Sequence, residues 1–207
     1  MESPFVHLHL HSPYSFGDGA SDIEEMVQEA ARLQMPALAL TDHNSVTGAV
    51  KFAAICEGYG IKPIIGAEVT LEDRSHLTLL AENQRGFANL CRLLSRAYES
   101  GGRLTPAFPC SELPEYVEGL ICLTGCRKGK IASLVREHRY SEAREAAKKL
   151  LDWFGRDNFF VELQCDGVPH SGRIARELAK LADALNTGAV ATNNCHYATP
   201  SDGFTHN

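Results

Sequence analysis

The sequence has no surplus of positive charge and no apolar run long enough to span a membrane. Its 207 residues include 20 Lys and Arg against 26 Asp and Glu, a net charge of −6. A nucleic-acid binder that acts through surface charge alone is normally basic, so that class is excluded as the default interpretation. A membrane span needs about 20 consecutive apolar residues, so we expect no membrane partner. No basic stretch followed by an apolar one opens the chain, which favours a cytoplasmic location.

The sequence also lacks the cysteine pattern of a disulfide framework and an Asp-x-Asp pair. Its seven cysteines are odd in number and scattered along the chain, which is atypical of a disulfide-rich secreted protein. Without an Asp-x-Asp pair to hold two Mg²⁺ ions, the chain is not expected to polymerise nucleotides by itself. The hydrophobic content of 44% is enough for a buried core, and we expect one domain over residues 1–207.

Short strand-like runs alternate with helix-like stretches along the chain. Apolar periodicity predicts strands at 6–11, 36–40, 63–69, 77–80, 120–124, 159–163 and 189–192. It predicts helices at 23–33, after a capping box at 21–24, and then at 47–57, 87–97, 130–137, 141–154 and 171–185. A Pro-containing stretch, 102–114, is expected to be irregular. This alternation predicts an α/β fold with about seven strands in a largely parallel sheet.

Polar side chains that can bind metals lie at or beyond the C-terminal ends of the predicted strands. Barrels of alternating strands and helices assemble active sites at that rim from many strands, whereas open sheets use one switch point. Six or so strand ends with such groups therefore favour a barrel. His76 does not fit, because it precedes its strand. The other groups are His9, His11, Asp42, His43, Glu68, Cys126, Asn194 and His196.

Three histidines alternate in the first predicted strand. In a strand, His7, His9 and His11 point to the same side. Imidazoles this close repel one another when protonated, so a neutral, metal-bound role fits them better than a solvent-facing one. His7 lies deepest in the strand, and we expect it to pack in the core or support the ligands rather than bind metal.

Taken one at a time, the other groups have ordinary explanations. Asp18 could be a turn residue, His43 could stand beside a helix cap, and Cys126 could be a small buried hydrophobe. Glu68 follows a buried run, where a carboxylate is costly unless it is paired or bound to a cation. Together, nitrogen, carboxylate and sulfur ligands on one rim predict divalent metal ions, Zn first and Mn or Fe next.

Six motifs, in order, resemble those of the polymerase and histidinol phosphatase (PHP) superfamily. They are His7-Leu8-His9-Leu10-His11-Ser12 with Tyr14-Ser15 and Asp18-Gly19, Leu40-Thr41-Asp42-His43, Pro63-Ile64-Ile65-Gly66-Ala67-Glu68, Ser75-His76-Leu77-Thr78, Leu123-Thr124-Gly125-Cys126 and Ala191-Thr192-Asn193-Asn194-Cys195-His196-Tyr197. The resemblance spans nearly the whole chain. It is closest to the N-terminal PHP domain of bacterial C-family DNA polymerases, the DNA polymerase III alpha subunit and its error-prone relatives.

The resemblance implies a distorted (β/α)7 barrel with up to three metal ions at its C-terminal rim. Four of the implied ligands, His9, His11, His43 and Glu68, would also be catalytic, and Glu68 matches a carboxylate that bridges two ions. Divalent ions would also let an acidic chain hold a polyanion. The implied ligands are His9, His11, Asp18, His43, Glu68, His76, Cys126, Asn194 and His196.

One of these positions departs from the family pattern. Asn194 stands where Asp is usual, and an amide offers a carbonyl oxygen without a negative charge. The site could then hold only one or two ions, or bind them too loosely for catalysis.

The resemblance implies a metal-dependent phosphoesterase, a 3′–5′ proofreading exonuclease that supports DNA replication. Its partners would be a DNA 3′ end or nucleotide phosphate and the remaining domains of a longer polymerase, of which this chain would be the N-terminal module. One alternative is a module that binds metal but is catalytically weak or inactive. Another is a stand-alone phosphatase of the histidinol phosphatase kind. An amidohydrolase barrel also begins with a His-x-His strand, but no Lys stands at a middle strand end to bridge two metals.

Overall fold

The computed structural model describes residues 5–203. Its α-helices are α1 Ile23–Arg32, α2 Ala49–Gly58, α3 Gln84–Gly101, α4 Lys130–Arg136, α5 Tyr140–Phe154 and α6 Ser171–Leu185. Its strands are β1 Ala37–Leu40, β2 Lys62–Thr70, β3 His76–Ala81, β4 Leu120–Leu123, β5 Phe159–Gln164 and β6 Gly188–Thr192. Within these residues no helix is both long and apolar enough to cross a membrane.

The six strands form one sheet in chain order, β1 to β6. Three neighbouring pairs are parallel, as predicted, but β3 runs antiparallel to both β2 and β4. The prediction of a largely parallel sheet is therefore corrected at this strand. Its reversal also explains the exception that His76 presented, because an antiparallel strand begins at the rim where its parallel neighbours end.

The first predicted strand, 6–11, is an irregular extended segment. Its backbone bonds to both edges of the sheet: Ala39 N donates to His7 O at 2.9 Å, and His11 N donates to Cys195 O at 2.8 Å. Only Leu10 forms a regular bridge, with Cys195 beyond β6. The chain bends at His9, which breaks the strict alternation read from the sequence. This segment takes the seventh place in the ring, and the predicted barrel-type α/β fold is confirmed.

Successive side chains of each strand point alternately toward the helices outside and into the barrel interior. Outward residues such as Val69, Leu79 and Val161 are fully buried in an apolar cluster against the helices. The inner face has an apolar layer and, nearer the rim, a polar one. The apolar layer contains Ala39, Leu80 and Leu123 with Leu8, Ile64, Ile121, Phe160 and Val190 packed on them. The buried polar layer contains His9, Glu68, Thr78, Glu162 and Thr192.

Helix α1 begins at Ile23, as predicted, but its capping box lies one residue later than predicted. Its capping box pairs Asp22 with Glu25 rather than Ser21 with Glu24. Ser21 Oγ instead accepts a hydrogen bond from Ala198 N at 2.9 Å. The start of α1 is thereby tied to the segment that follows β6, next to the first-strand segment.

The stretch 102–114, predicted to be irregular, contains no strand and ends in a short 3₁₀ helix, Cys110–Glu115. Phe108 and Leu113 are fully buried within it. Phe108 also bridges to Leu71 at the end of β2, so this excursion closes the core beside the sheet.

Candidate metal centre

Glu68 lies at the middle of the candidate metal centre. Strand β2 places its carboxylate on the inner face, where 1% of the residue is exposed. Burial of a carboxylate is costly unless donors or cations surround it. Five side chains do so: His9 Nε2 (3.4 Å), His76 Nδ1 (3.0 Å) and Cys126 Sγ (3.1 Å) at Oε1, and His11 Nε2 (3.6 Å) and His43 Nδ1 (2.8 Å) at Oε2.

These neighbours keep Glu68 ionised. Burial by itself would raise the pKa of Glu68, but the imidazoles of His43, His76 and His9 outweigh burial and hold that pKa well below its usual range. Burial raises the pKa of the Cys126 thiol, and the charge of Glu68 raises it further. Cys126 therefore donates to Glu68 as a thiol, and a bound cation would be needed to make it a thiolate.

Asp18 forms the outer, more exposed part of the centre. Its Oδ2 lies 2.7 Å from His43 Nε2 and 3.3 Å from His196 Nδ1. Hydrogen bonds from His196 and His43 hold the pKa of Asp18 far below its usual range. The loop that presents Asp18 packs so tightly that a Cβ at Gly19 would lie 2.0 Å from Ser12 O. His43 thus has one carboxylate at each ring nitrogen.

His11 is held in one tautomer. Ser15 Oγ donates to Asp42 Oδ1 at 2.7 Å, so at 3.0 Å from His11 Nδ1 it can only accept. Burial, together with the charges of nearby histidines, lowers the pKa of His11 well below its usual value despite the opposing charge of Glu68. The lone pair of neutral His11 Nε2 therefore faces Asn194 Oδ1, 3.0 Å away. Two acceptors facing each other favour a cation shared between them.

Asn194 and His196 come from the segment beyond β6. The Asn194 backbone has φ 49°, a left-handed conformation that Asn tolerates better than most residues. This turn sets the His196 ring parallel to His11, with ring centroids 4.7 Å apart and planes 8° apart. The first-strand segment and the end of the sheet thus supply neighbouring groups to the same rim.

Glu162 is a buried carboxylate that sequence reasoning missed. It lies on the inner face of β5, and its Oε1 is 2.7 Å from His9 Nδ1. Gln164 donates to the same oxygen at 2.9 Å, and the Thr192 hydroxyl also donates to it. A carboxylate behind a histidine is the usual arrangement that turns the other ring nitrogen toward a metal. The signal was an acidic residue inside the apolar strand Phe159–Gln164.

Asp42 supports the site without reaching Glu68. Its carboxylate accepts from Ser12 N and Ser12 Oγ, both at 2.7 Å, and from Ser15 Oγ. Burial raises the pKa of Asp42 even though these donors lower it. Asp42 therefore shapes the loop between His11 and Asp18 and is not a helix cap, since α2 begins only at Ala49.

The donor set fits divalent metal ions. His9 Nε2 is buried and makes no hydrogen bond within residues 5–203. Three groups of three side chains each offer ligand atoms within 4.8 Å of one another, and imidazole with carboxylate suits Zn, Mn or Fe. The groups are His9, His11 and Glu68; His11, Asp18 and His43; and His43, Glu68 and His76.

All nine predicted ligand positions lie at this rim, each within 3.6 Å of another member of the set. Their proximity is a finding, and their role as ligands stays a prediction. His7 lies apart, with Nδ1 3.2 Å from Cys195 Sγ. Its side chain does not face the centre, so the three alternating histidines do not all point to the same side, although a regular strand predicted that they would.

Comparison with known proteins places this chain in a family. The profile of the PHP domain matches residues 7–166. An error-prone DNA polymerase of Symbiobacterium thermophilum is 45% identical over 98% of this chain and 20% of its own length. A DNA polymerase III subunit alpha of Treponema pallidum is 41% identical over 96% of this chain and 18% of its own length. The chain therefore spans about a fifth of the length of these relatives.

A solved structure has the same fold at low sequence identity. It is described as a metal-dependent phosphoesterase from Bifidobacterium adolescentis and is 17% identical. It superposes with a TM-score of 0.53 over 94% of this chain and 89% of its own. At this identity the likeness concerns the fold alone.

Proposed function

Because the chain belongs to the PHP domain family, we propose that it is a metal-dependent phosphoesterase module of a bacterial DNA polymerase, acting as a 3′–5′ exonuclease on DNA 3′ ends. One observation carries this proposal. A buried carboxylate, Glu68, has four imidazoles and a thiol around it, a donor set built for divalent ions rather than for packing. The names of the relatives supply the polymerase setting.

The residues that would hold the ions divide into an inner and an outer set. The inner set is grouped around Glu68 and the outer set around Asp18, with His43 reaching both. Zn is the first candidate and Mn or Fe the next. When bound, such ions polarise a phosphate oxygen and lower the pKa of water. The inner set is His9, His11, Glu68, His76, Cys126 and Asn194, and the outer set is Asp18, His43 and His196.

The side chains of the centre orient one another and leave one side open to a phosphate. Glu162 binds Nδ1 of His9, and Ser15 binds Nδ1 of His11, so that Nε2 of each ring faces Glu68. His9, His11 and Glu68 are almost completely buried. Asp18 and His43 keep 29% and 25% of their side chains exposed, so a phosphodiester would approach past them. His9, His11, His43 and Glu68 are the residues we assign to catalysis.

The setting of the domain is also part of the proposal. The chain would form one domain, 1–207, the N-terminal module of a longer cytoplasmic polymerase whose remaining domains pack against it. Its length relative to the polymerases it resembles supports this arrangement.

A primer with a mismatched 3′ end tests the exonuclease proposal. Purified chain is incubated with Mn²⁺ or Zn²⁺ and the labelled primer, and release of nucleotides is followed on a gel. We expect release by the native chain and its loss in His9→Ala, with His138→Ala as a control because His138 is exposed on the surface. Equal traces for native chain and His9→Ala would overturn the proposal.

A catalytically weak structural module is the second candidate, and Asn194 favours it. Three anionic ligands remain, Asp18, Glu68 and Cys126, against six positive charges for three divalent ions. A site poor in anions binds fewer ions or binds them less tightly. This candidate predicts that chelation destabilises the fold while no metal concentration produces nucleotide release.

A further inference from the structure

A groove beside the metal centre is lined by a concentration of positive charge. Its volume is about 560 Å³, and five basic side chains but only one acid line it. The chain as a whole has a net charge of −6, so this sign is local. The basic residues are Arg74, Arg127, Lys128, Lys130 and Arg136, and the acid is Asp73.

Most of this charge is not neutralised within the protein. Lys130 pairs with Asp73 at 2.9 Å, and Arg127 lies 3.8 Å from Asp166. Among residues 5–203, the other three cations make no ion pair with a carboxylate within 4.0 Å. Exposed like charges held together repel one another unless an anion binds. The groove is thus suited to a polyanion.

The groove opens directly onto the metal centre. Two of its lining residues, Cys126 and Asn194, contact Glu68 and His11 respectively. The floor is a fixed loop: Lys128 N donates to Cys126 Sγ at 3.4 Å, and His76 N donates to Lys128 O at 3.2 Å. A phosphate in the groove would therefore lie next to one at the centre.

An exposed aromatic side chain stands on the loop at the same rim. Phe16 is 92% exposed, two residues before Asp18, and the backbone of that loop is fixed by hydrogen bonds from Asp18 N and Gly19 N to Ser15 O at 2.9 and 3.1 Å. A cationic groove combined with an exposed aromatic ring is the usual means of binding single-stranded nucleic acid, since every base can stack.

We propose that this groove binds the phosphate backbone of a single-stranded polynucleotide, with one base stacked on Phe16 and the terminal phosphodiester at the metal centre. This inference rests on the proposed function and adds the path that a single strand would take to the centre. The centre is recessed, with His9, His11 and Glu68 nearly inaccessible. A flexible strand end can enter such a recess, whereas a blunt duplex cannot.

Binding without metal tests the groove independently of catalysis. Fluorescence anisotropy of a labelled oligothymidylate of about 12 nucleotides is measured in EDTA across a range of salt concentrations. We expect the triple variant R127A/K128A/R136A to bind at least about tenfold more weakly, with a salt slope lower by about 0.7 for each phosphate that the variant no longer neutralises. The matched control K62A/R85A/K180A removes three exposed cations outside the groove and should bind like the native chain.

Stacking is tested with a second pair of variants. Phe16→Ala should weaken binding by about tenfold. Leu104→Ala is the control, because Leu104 is also 92% exposed. Single strands should bind more tightly than blunt duplexes of equal length. The proposal is overturned if the native chain does not bind the single strand, or if it binds a blunt duplex with equal affinity. It is also overturned if the two triple variants have equal affinity for the strand, or if the two single variants do.

Turnover of a small diester, bis(p-nitrophenyl) phosphate, separates this inference from the proposed function. The groove variant should retain that turnover with Mn²⁺ while losing oligonucleotide affinity. A native chain that binds the strand in EDTA but hydrolyses neither the oligonucleotide nor the small diester would contradict the phosphoesterase proposal. The same result would support the groove as a strand-binding site. Loss of small-diester turnover in the folded groove variant would instead count against a separate strand-binding role.

Discussion

The orientation of single histidines decides what the candidate centre can hold. His9 Nε2 faces Glu68 only because Glu162 occupies the other ring nitrogen. The Glu162 carboxylate also accepts hydrogen bonds from Gln164 and Thr192, so its own position is fixed. A substitution that keeps its shape and removes its charge isolates this contribution.

We expect Glu162→Gln to lower metal affinity by about 10- to 100-fold without unfolding the chain, because second partners of ligating histidines have effects of this size. Affinity is measured by competition with a chromophoric chelator, and ¹⁵N NMR reports the His9 tautomer. Glu145→Gln on an exposed face of α5 is the matched control. Unchanged affinity together with an unchanged tautomer would contradict the role assigned to Glu162.

Asn194 determines how much negative charge the centre can offer. Asn194→Asp places a carboxylate where the amide oxygen now lies 3.0 Å from His11 Nε2. We expect metal affinity to rise about tenfold, the gain of one close charge in a partly buried site. Asn186→Asp is the control, since Asn186 is exposed and also left-handed, at φ 51°. Equal effects of both substitutions on metal affinity would refute a ligand role for position 194.

The protonation of His43 makes the metal-free chain sensitive to pH. Burial lowers the pKa of His43, but its contacts with Asp18 and Glu68 outweigh burial and raise that pKa to about 9 from 6.5. The stabilisation is complete below pH 6.5 and is lost as pH rises through about 9. The melting temperature in EDTA should fall over this interval. With Zn²⁺ the melting temperature should instead rise with pH over the same interval, because protons compete with the metal for the ligands. Parallel pH dependences of the melting temperature with EDTA and with Zn²⁺ would contradict this expectation.

Single residues were the level at which the sequence was most informative. Motifs in the sequence identify nine residues that the structure brings together at one rim. They are His9, His11, Asp18, His43, Glu68, His76, Cys126, Asn194 and His196. Glu162 was missed because it belongs to no motif and its partner lies 153 residues away. A buried acid in an apolar strand is its only trace in the sequence, and the partner depends on the fold.

At the scale of elements, the direction of β3 sets the position of His76. Strand alternation cannot reveal direction, so a parallel sheet was predicted and His76 remained unexplained. The length of the connection held the answer: five residues separate β2 from β3, and a parallel crossover needs a dozen or more. The bend at His9 had no such signal, because it follows from backbone contacts with β1 and the segment beyond β6.

The turn after β4 holds Cys126 next to His76, the first residue of β3, and this turn requires Gly125. Its φ is 84°, and a Cβ would lie 2.5 Å from His76 O. We expect Gly125→Ala to lower the free energy of unfolding by about 3 kcal/mol, from backbone strain plus displacement of His76. Gly155→Ala shares the strain, at φ 78°, but meets no atom within 4 Å and should cost about 1–2 kcal/mol. Urea denaturation measures both, and equal losses would mean that the close approach costs nothing.

At the scale of the whole molecule, the ring is joined by the segment that carries His9 and His11. That segment bonds to β1 on one side and to the chain beyond β6 on the other. Any ion that binds both His11 and Asn194 would bridge the junction directly. Ligands that bind only the folded state stabilise it by linkage.

Chelation should therefore lower the melting temperature. With metal at about 1,000 times its dissociation constant the linkage is about 4 kcal/mol, which for a chain of this size corresponds to about 10 °C. Differential scanning calorimetry with and without EDTA measures the shift. His43→Ala should lose most of it, whereas His138→Ala should keep it. A shift of equal size in both variants would place the bound metal elsewhere.

The closure of the ring has a consequence for the order of events during synthesis. The first half of the centre leaves the ribosome early, but the groups that face it, Asn194 and His196, are among the last of the described residues to be made. Until Cys195 has been made, the first-strand segment can bond to β1 but not to the chain beyond β6. With the proposed ligand set, the site would be completed only after the last turn of the barrel has been made, and a translation product arrested before residue 194 would lack two of its ligands.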